Sequence, residues 1–314
     1  SQSKFKDVLK IKKLSKQIKD ENIQLVVFHT TKNFPLMVLT KIFSGNYFKL
    51  IFMQHMHLGG SKKDIYHRWL YRKLDVWIAP LKGFKDYLLK YSGIEPDKIE
   101  VVPFGIELDR FTEHLPDKKD ARVQLNLPSE KTIIGMVGRL DEKKCQHVLI
   151  EALGKLRDIG YDVSILLLGD KTFGEADKYA ENLYELTEKL NLKKDVYFQD
   201  GIKEIENAYA ALDIFALTTG SETFGMVLIE AMAAKLPVIA TNEGGPKDII
   251  QHNVNGLLVK PLDNDDLTEA LIKLLDDKEK SNSLADSAKQ TAFELYSHNK
   301  QCERLAEIFN NLLE

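Results

Sequence analysis

Two glutamates give the first sign of chemistry in this sequence. Glu222 and Glu230 stand on either side of seven residues in SETFGMVLIEAMAAKLPVIAT, residues 221–241. The pattern predicts a loop at Glu222, then a helix that opens at Gly225, carries Glu230 two turns in and closes before Pro237. The residues that follow, 237–241, read as a short buried strand. A helix that starts against a loop offers unpaired N–H groups at the positive end of its dipole, a natural seat for a phosphate. Ionised carboxylates accept hydrogen bonds and do not donate them, so they suit sugar and ribose hydroxyls. The stretch reads as one that holds a sugar joined to a phosphate.

A second cluster has the opposite charge. The strand predicted over 132–137 runs into MVGRLDEKK, residues 136–144, with Gly138 at its C-terminal end, where open α/β sheets bind ligands. Arg139 and Lys144 follow closely, and a guanidinium fork beside an ammonium suits two adjacent phosphates. Gly135 and Gly138 form only part of a dinucleotide fingerprint, and no third glycine opens the next helix, which argues against a nicotinamide cofactor.

Elements must bring these residues together. Short apolar strands are predicted at 23–28, 49–53, 75–79 and 98–102, with helices at 4–19, 34–43, 62–74 and 81–92. In the first helix Phe5, Val8, Leu9, Ile11, Leu14 and Ile18 fall near one face, with lysines opposite. That pattern reads as a sheet-covering helix, with contact to an anionic membrane as the alternative. The run KKDIYHRWLYRK, residues 62–73, reads as a helix whose long basic side chains snorkel, with an anionic acceptor or membrane as its alternative. A stretch rich in Pro, Gly and charge, 102–120, suits a break between domains. Strands then resume at 132–137, 163–168, 195–199, 213–217, 237–241 and 256–259, with helices at 145–159, 175–190, 204–210, 225–235 and 246–251, and helices at 264–276, 280–295 and 298–313 close the chain. The expected division is 1–110, a first Rossmann-like domain; 111–130, a linker; 131–290, a second Rossmann-like domain; and 291–314, a C-terminal helix packing back on the first.

Composition narrows the class. The chain has 314 residues, 44% hydrophobic and 29% charged, with a net charge of −3, so its overall charge gives no case for nucleic acid. Two cysteines, Cys145 and Cys302, make no disulfide framework. No apolar run approaches the ~18–20 residues that span a bilayer. The expectation is a soluble cytoplasmic protein, with peripheral contact at the inner face of the membrane as the furthest extension.

The motifs in order resemble glycosyltransferase family 4. GRLDEKK, VYFQDG (196–201), DIFALTTGSETFGMVLIEAMAAKLPVIATNEGG (213–245) and NGLLVKP (255–261) carry the resemblance, with DVWIAP and IEVVPFGIELDRF (99–111) from the first domain. It implies a retaining enzyme of the GT-B fold, two Rossmann-like doubly wound domains facing each other across a cleft, the first incomplete at its start. It also implies roles. Arg139 and Lys144 neutralise the departing diphosphate, Glu230 holds the ribose, and Glu222 faces the donor sugar. The N–H groups of Phe224, Gly225 and Met226 meet the sugar hydroxyls or phosphate, and Gly201 and Ile202 lie by the base. His55, which by itself reads equally as a structural hydrogen-bonder in a patch with His57 and His67, faces the donor sugar from the first domain. The cationic pair makes a metal unnecessary, and no cofactor is implied.

This sequence departs from the family pattern at Cys145, where glycine is common, at Phe104 for asparagine, at Thr218 and Thr219 for Pro-Ser, and at Asp248 for glutamate. A glycine-rich loop expected near the front is not among these residues. The implied activity is transfer of a sugar, with retention, from a nucleoside-diphosphate sugar to a glycan or lipid-linked acceptor, as in cell-surface polysaccharide biosynthesis. Two alternatives stay open at this point: a catalytically idle nucleotide-binding scaffold, and a nucleotide-sugar 2-epimerase.

Overall fold

The computed structural model describes residues 2–56, 58–113, 115–171 and 175–314, with the side chains of 2–8 and 175–177 left outside the description. His57 and the side chains of Phe5 and Val8 therefore lie outside the described residues. The chain forms two compact units, one running to Phe104 and including Asn299–Glu314, the other Gly105–His298.

The first unit contains α1 (Gln2–Asp20), β1 (Leu25–Phe28), α2 (Phe34–Phe43), β2 (Lys49–Met53), α3 (Ile65–Arg72), β3 (Val76–Ala79), α4 (Lys82–Tyr91) and β4 (Ile99–Val101). Its sheet is parallel, in the order β1-β2-β3-β4. Alternation along the strands divides its two faces. Phe28, Phe52 and Trp77 stand side by side in register, and Phe34 of α2 and Tyr71 of α3 pack over them with ring centroids 4.6–5.4 Å apart. The opposite face, with Ile51, Val76 and Ile78, is covered by Leu305, Ile308, Phe309 and Leu312 of the last helix, α13 (His298–Leu313). Because the strands follow chain order, right-handed crossovers put the connecting helices on one side. The other side needs an element from elsewhere in the sequence, and α13 supplies it. In α1 the buried stripe is Ile11, Ser15 and Ile18, whereas Leu9 points to solvent at 58% exposure. Ile11 and Ile18 of the expected stripe are thus buried and Leu14 is half-buried, while Ser15 joins them in place of Leu9.

The second unit contains α5 (Lys118–Gln124), β5 (Thr132–Val137), α6 (Gln146–Asp158), β6 (Val163–Leu168), α7 (Glu175–Lys189), β7 (Val196–Gln199), α8 (Glu206–Ala211), β8 (Ile214–Leu217), α9 (Met226–Ala233), β9 (Val238–Thr241), α10 (Gly245–Ile249), β10 (Leu257–Val259), α11 (Asn264–Asp276) and α12 (Lys278–Tyr296). The parallel sheet runs β10-β9-β8-β5-β6-β7. Its central strands β6, β8 and β9 are buried along their whole length, as a sheet covered on both faces requires.

The residues read as a linker, 111–130, are instead built into this unit. Asp117 caps α5 by accepting from the Lys119 N–H at 2.8 Å, and α5 packs on α8. Arg122, 5% exposed, donates to the carbonyls of Ala211 (3.0 Å) and Ser129 (2.6 Å) and to the Asp213 carboxylate (2.6 Å). Arg122 is thus a buried guanidinium hydrogen-bonded through each of its three nitrogens, and such pairing is what makes its burial tolerable.

Candidate functional site

Chain order in the second sheet reverses between β5 and β8, the switch point at which open α/β sheets hold their ligands. The loops leaving those two strands carry Arg139, Lys144 and Glu222. Lys144 Nζ donates to Glu222 Oε2 at 2.5 Å, with the two side chains 22% and 16% exposed. Glu222 Oε1 accepts from the Thr223 N–H at 3.1 Å.

The two loops are tied together beneath that pair. Gly220 N–H donates to the Lys143 carbonyl (2.8 Å), Thr219 Oγ1 to the same oxygen (3.1 Å) and Thr218 Oγ1 to the Cys145 carbonyl (2.9 Å). Thr218 and Thr219, the departures from Pro-Ser, are thus the posts on which the cationic turn rests. Cys145 occupies the left-handed region at φ 55, which costs an L-residue ~1–2 kcal/mol and explains why glycine is at home there. Its buried thiol donates to the Glu142 carbonyl at 3.3 Å, and burial pushes its pKa up.

Arg139 is exposed, and among the described residues its guanidinium makes no hydrogen bond or ion pair. Its backbone is fixed, because buried Gln146 donates to the Arg139 carbonyl at 2.8 Å. Gly138 donates to the Leu168 carbonyl at 2.9 Å, and its own carbonyl lies where a Cβ on Gly169 would sit, so β5 and β6 meet there through glycine. Gly201 and Ile202 follow β7, two strands from β5 and so ~10 Å away at ordinary strand spacing. Asp170 Oδ1 accepts from the Gly201 N–H at 2.9 Å.

Glu230 lies in the second turn of α9, because the helix begins at Met226 and Gly225 is its cap, at φ 101. Tyr209 of α8 donates to Glu230 Oε2 at 2.6 Å, while Oε1 has no hydrogen-bond partner among the described residues. Burial raises the Glu230 pKa, and the Tyr209 hydrogen bond and Arg110 oppose that shift. Phe224 is buried and stands 6.1 Å, edge to face, from Tyr296; Met226 is half exposed.

A group with a raised folded pKa contributes stability that is complete below its unfolded pKa and is lost as pH rises through the folded one. Ionised Glu230 is therefore a cost to the fold near neutral pH. Glu230→Gln should raise the melting temperature at pH 7 and leave it nearly unchanged at pH 4, as calorimetry at the two pH values would show. A lower melting temperature at pH 7 would contradict this assignment.

His55 belongs to the first unit, in the loop after β2. Trp77 Nε1 donates to Gln54 Oε1 (2.9 Å) and Gln54 Nε2 to the Met56 carbonyl (2.9 Å), which pins the backbone on both sides of it. His55 Nε2 shares a hydrogen bond with His29 Nδ1 at 2.8 Å, and its ring stacks on Phe104 at 5.1 Å and 8°. Burial and then the neighbouring His29 lower the His55 pKa below 6.5. In an NMR titration His55 should remain neutral to a lower pH than an ordinary histidine, and His29→Ala should move its midpoint upward. An unmoved midpoint would refute the coupling. His67, expected in the same patch, pairs instead with Asp64 at 2.6 Å.

Sequence reasoning missed His29, Asp170 and Tyr209. His29 and Asp170 each follow a strand end, LVVF and VSILLL, and that position was the available signal. Tyr209 reads from sequence only as a helix core residue.

The family model described as "Glycosyl transferases group 1" matches residues 117–291, more than half of the chain. The chain belongs to that family. A second model, "Glycosyltransferase Family 4", matches residues 3–110 of this group 1 family member. It is 30% identical over 222 residues to a D-inositol 3-phosphate glycosyltransferase of Nocardia farcinica, covering 69% of this chain and 49% of the relative. The chain thus spans about half the length of the curated relatives it matches. Among solved structures, a glycosyltransferase from Rickettsia africae superposes with a TM-score of 0.87 at 24% identity, covering 99% of this chain and 82% of that one. Anabaena HepE in complex with UDP gives 0.82 at 23% identity, covering 96% and 82%. These neighbours share the GT-B fold with this group 1 protein. Among its described residues, no helix is long and apolar enough to cross a membrane.

Proposed function

We propose that this protein transfers a sugar, with retention, from a nucleoside-diphosphate sugar to a glycan or lipid-linked acceptor. The observation that carries the reading is the Lys144–Glu222 contact at the strand-order switch, with Arg139 exposed beside it. A cation already seated against the carboxylate that meets the sugar is positioned to exchange that partner for the donor's phosphate. Arg139 takes the other phosphate, and the N–H groups at the start of α9 (Phe224, Gly225, Met226) add donors. Glu230 Oε1 accepts from the ribose while Tyr209 holds Oε2, and Gly201 and Ile202 border the base. The family resemblance assigns His55 of the first unit a role toward the donor sugar. Solved structures of the same fold that hold UDP and UDP-glucose support a donor of this class.

Bond breaking at the anomeric carbon leaves charge on the departing diphosphate, and fixed cations stabilise that charge where it develops. The acceptor attacks the same face, and the leaving phosphate helps take its proton, so Glu222 orients the sugar without forming a bond to it.

A thermal-shift series with nucleoside mono- and diphosphates tests the binding half of this reading. A diphosphate at ~100 times its dissociation constant should add ~2.7 kcal/mol of stability. Glu230→Gln, which removes a charge-assisted hydrogen bond of ~1.5–3 kcal/mol, should weaken that ligand ~10–100-fold. Equal shifts from mono- and diphosphates, or none from either, would rule the reading out.

A further inference from the structure

Glu230, the carboxylate read as the ribose ligand, has charged neighbours that the site described above leaves without a role. Arg110 belongs to a single turn of 3₁₀ helix, Leu108–Phe111, that packs on both α8 and α9. Its Nε and its Nη2 both reach Oε1 of Glu206, each at 2.7 Å, and its guanidinium stands over the Phe111 ring, 5.9 Å from the centroid. Phe111 in turn meets Tyr209 edge to face at 5.3 Å. Glu206 and Tyr209 lie three residues apart on α8 and so on one face of it. Tyr209 holds Glu230 Oε2 at 2.6 Å, which closes the cluster.

The Arg110–Glu206 pair is lopsided. A guanidinium whose only task is to neutralise a carboxylate commonly grips both oxygens with two parallel bonds. Here both bonds fall on Oε1, and Glu206 Oε2 is buried without a hydrogen-bond partner among the described residues. An unpaired buried acceptor is costly, more so on a charged group, so the grip is set by more than the needs of Glu206. Glu206 and Glu230 are two carboxylates in one largely buried cluster, where like charges push one of them towards its neutral form. A cation held in the same cluster opposes that. Burial raises the Glu230 pKa, the Tyr209 hydrogen bond and then Arg110 lower it, and Glu206 raises it. Of the other elements packed on α9, strands β8 and β9 carry no ionisable residue, and α12 brings Asp286, paired with Lys235 at 2.6 Å just past the end of α9.

We propose that Arg110 is a positioning residue of the donor site, the cation that holds Glu230 in its ionised, accepting form. Ionised Glu230 offers Oε1 to a ribose hydroxyl in a charge-assisted hydrogen bond, which is about twice as strong as a neutral one. The ribose consequence rests on the sugar-transfer reading, whereas the hold of Arg110 on Glu230 does not. Affinity for the nucleotide is then complete above the Glu230 pKa and is lost as pH falls through it. Removing Arg110 moves that loss to higher pH.

Glu230 would be titrated by carboxyl-carbon NMR in the ligand-free whole chain, its signal assigned by its absence from Glu230→Gln, and UDP affinity measured over the same pH range. The proteins compared are wild type, Arg110→Ala, Arg110→Lys, Glu206→Gln and the double variant Arg110→Ala/Glu206→Gln. Arg110→Ala should raise the Glu230 midpoint by ~1 pH unit and weaken UDP ~10-fold below the wild-type midpoint, with affinity unchanged above both midpoints. Arg110→Lys should restore part of both. Arg110→Ala leaves Glu206 buried and unpaired, so the double variant guards against a failure to fold. Its Glu230 midpoint should lie above that of Glu206→Gln, since the two differ only by the cation. A midpoint unmoved by the loss of Arg110 in either background, or UDP weakened equally at every pH, overturns the proposal. A midpoint that moves while wild type binds no UDP at any pH counts against the donor reading and leaves the hold of Arg110 on Glu230 standing.

Discussion

Arg139→Ala should lower release of nucleoside diphosphate from the donor by ~10²–10³-fold while changing stability by no more than ~0.5 kcal/mol. The two halves of that expectation come from the same fact. The Arg139 side chain is exposed and has no hydrogen bond or ion pair among the described residues, so the fold loses nothing when it is removed. Its backbone is nevertheless held by Gln146, so the guanidinium emerges from a fixed point at the end of β5. A group of this kind, idle in the folded protein and rigidly mounted, contributes chiefly where charge develops on the leaving group. Arg139→Lys keeps the charge and loses the planar fork, and should fall between wild type and Arg139→Ala. Lys144→Ala differs in kind, because it also strips Glu222 of its partner at 2.5 Å. That variant should lose turnover and some stability together. Turnover of Arg139→Ala at the wild-type rate in a donor-hydrolysis assay would remove Arg139 from the mechanism.

The sequence made the sheets legible because their strands are short apolar runs whose period and flanking turns leave little choice. The strands at 49–53, 132–137 and 163–168 fall at their predicted bounds, and other strand ends differ by one or two residues. Three things lay beyond that signal. Helix α5 was hidden inside charge, since a periodic reading treats Arg122 and Asp213 as solvated when they are partners in the interior. That the last helix returns to the first unit was expected, but the sheet face that α13 covers was hidden, because covering the second face of a four-stranded sheet is a long-range requirement with no local signature. The supports of the site were hidden for the same reason. Glu222, Glu230, Arg139 and Lys144 announce themselves by type and spacing. Tyr209 and His29 matter only through the residue each touches.

The second large effect is expected at a position with no chemistry of its own. Gly244 has φ 61 and ψ −139, a region closed to L-residues, and a Cβ there would fall on the Glu222 carbonyl oxygen. Its neighbour Gly245 approaches the Phe224 carbonyl in the same way, and the Gly245 N–H donates to Glu222 O at 2.9 Å. The turn after β9 therefore clamps the backbone on which Glu222 is mounted, and the clamp exists because two glycines let main chain meet main chain. In Gly244→Ala the atom in the way is backbone, which cannot rotate aside, so the loop 221–225 must move. That displacement carries Glu222 off Lys144 and shifts the start of α9. The expected loss is ~3 kcal/mol or more of stability, with diphosphate affinity falling at least ~10-fold. Gly160→Ala is the matched control, because φ is 95 but a Cβ there meets nothing within 4 Å. It bears the conformational strain alone, ~1 kcal/mol or somewhat more, and should bind diphosphate as wild type does. Calorimetry and nucleotide titration of both variants separate strain from contact. If Gly244→Ala bound diphosphate as tightly as Gly160→Ala, the clamp would have no part in shaping the donor site.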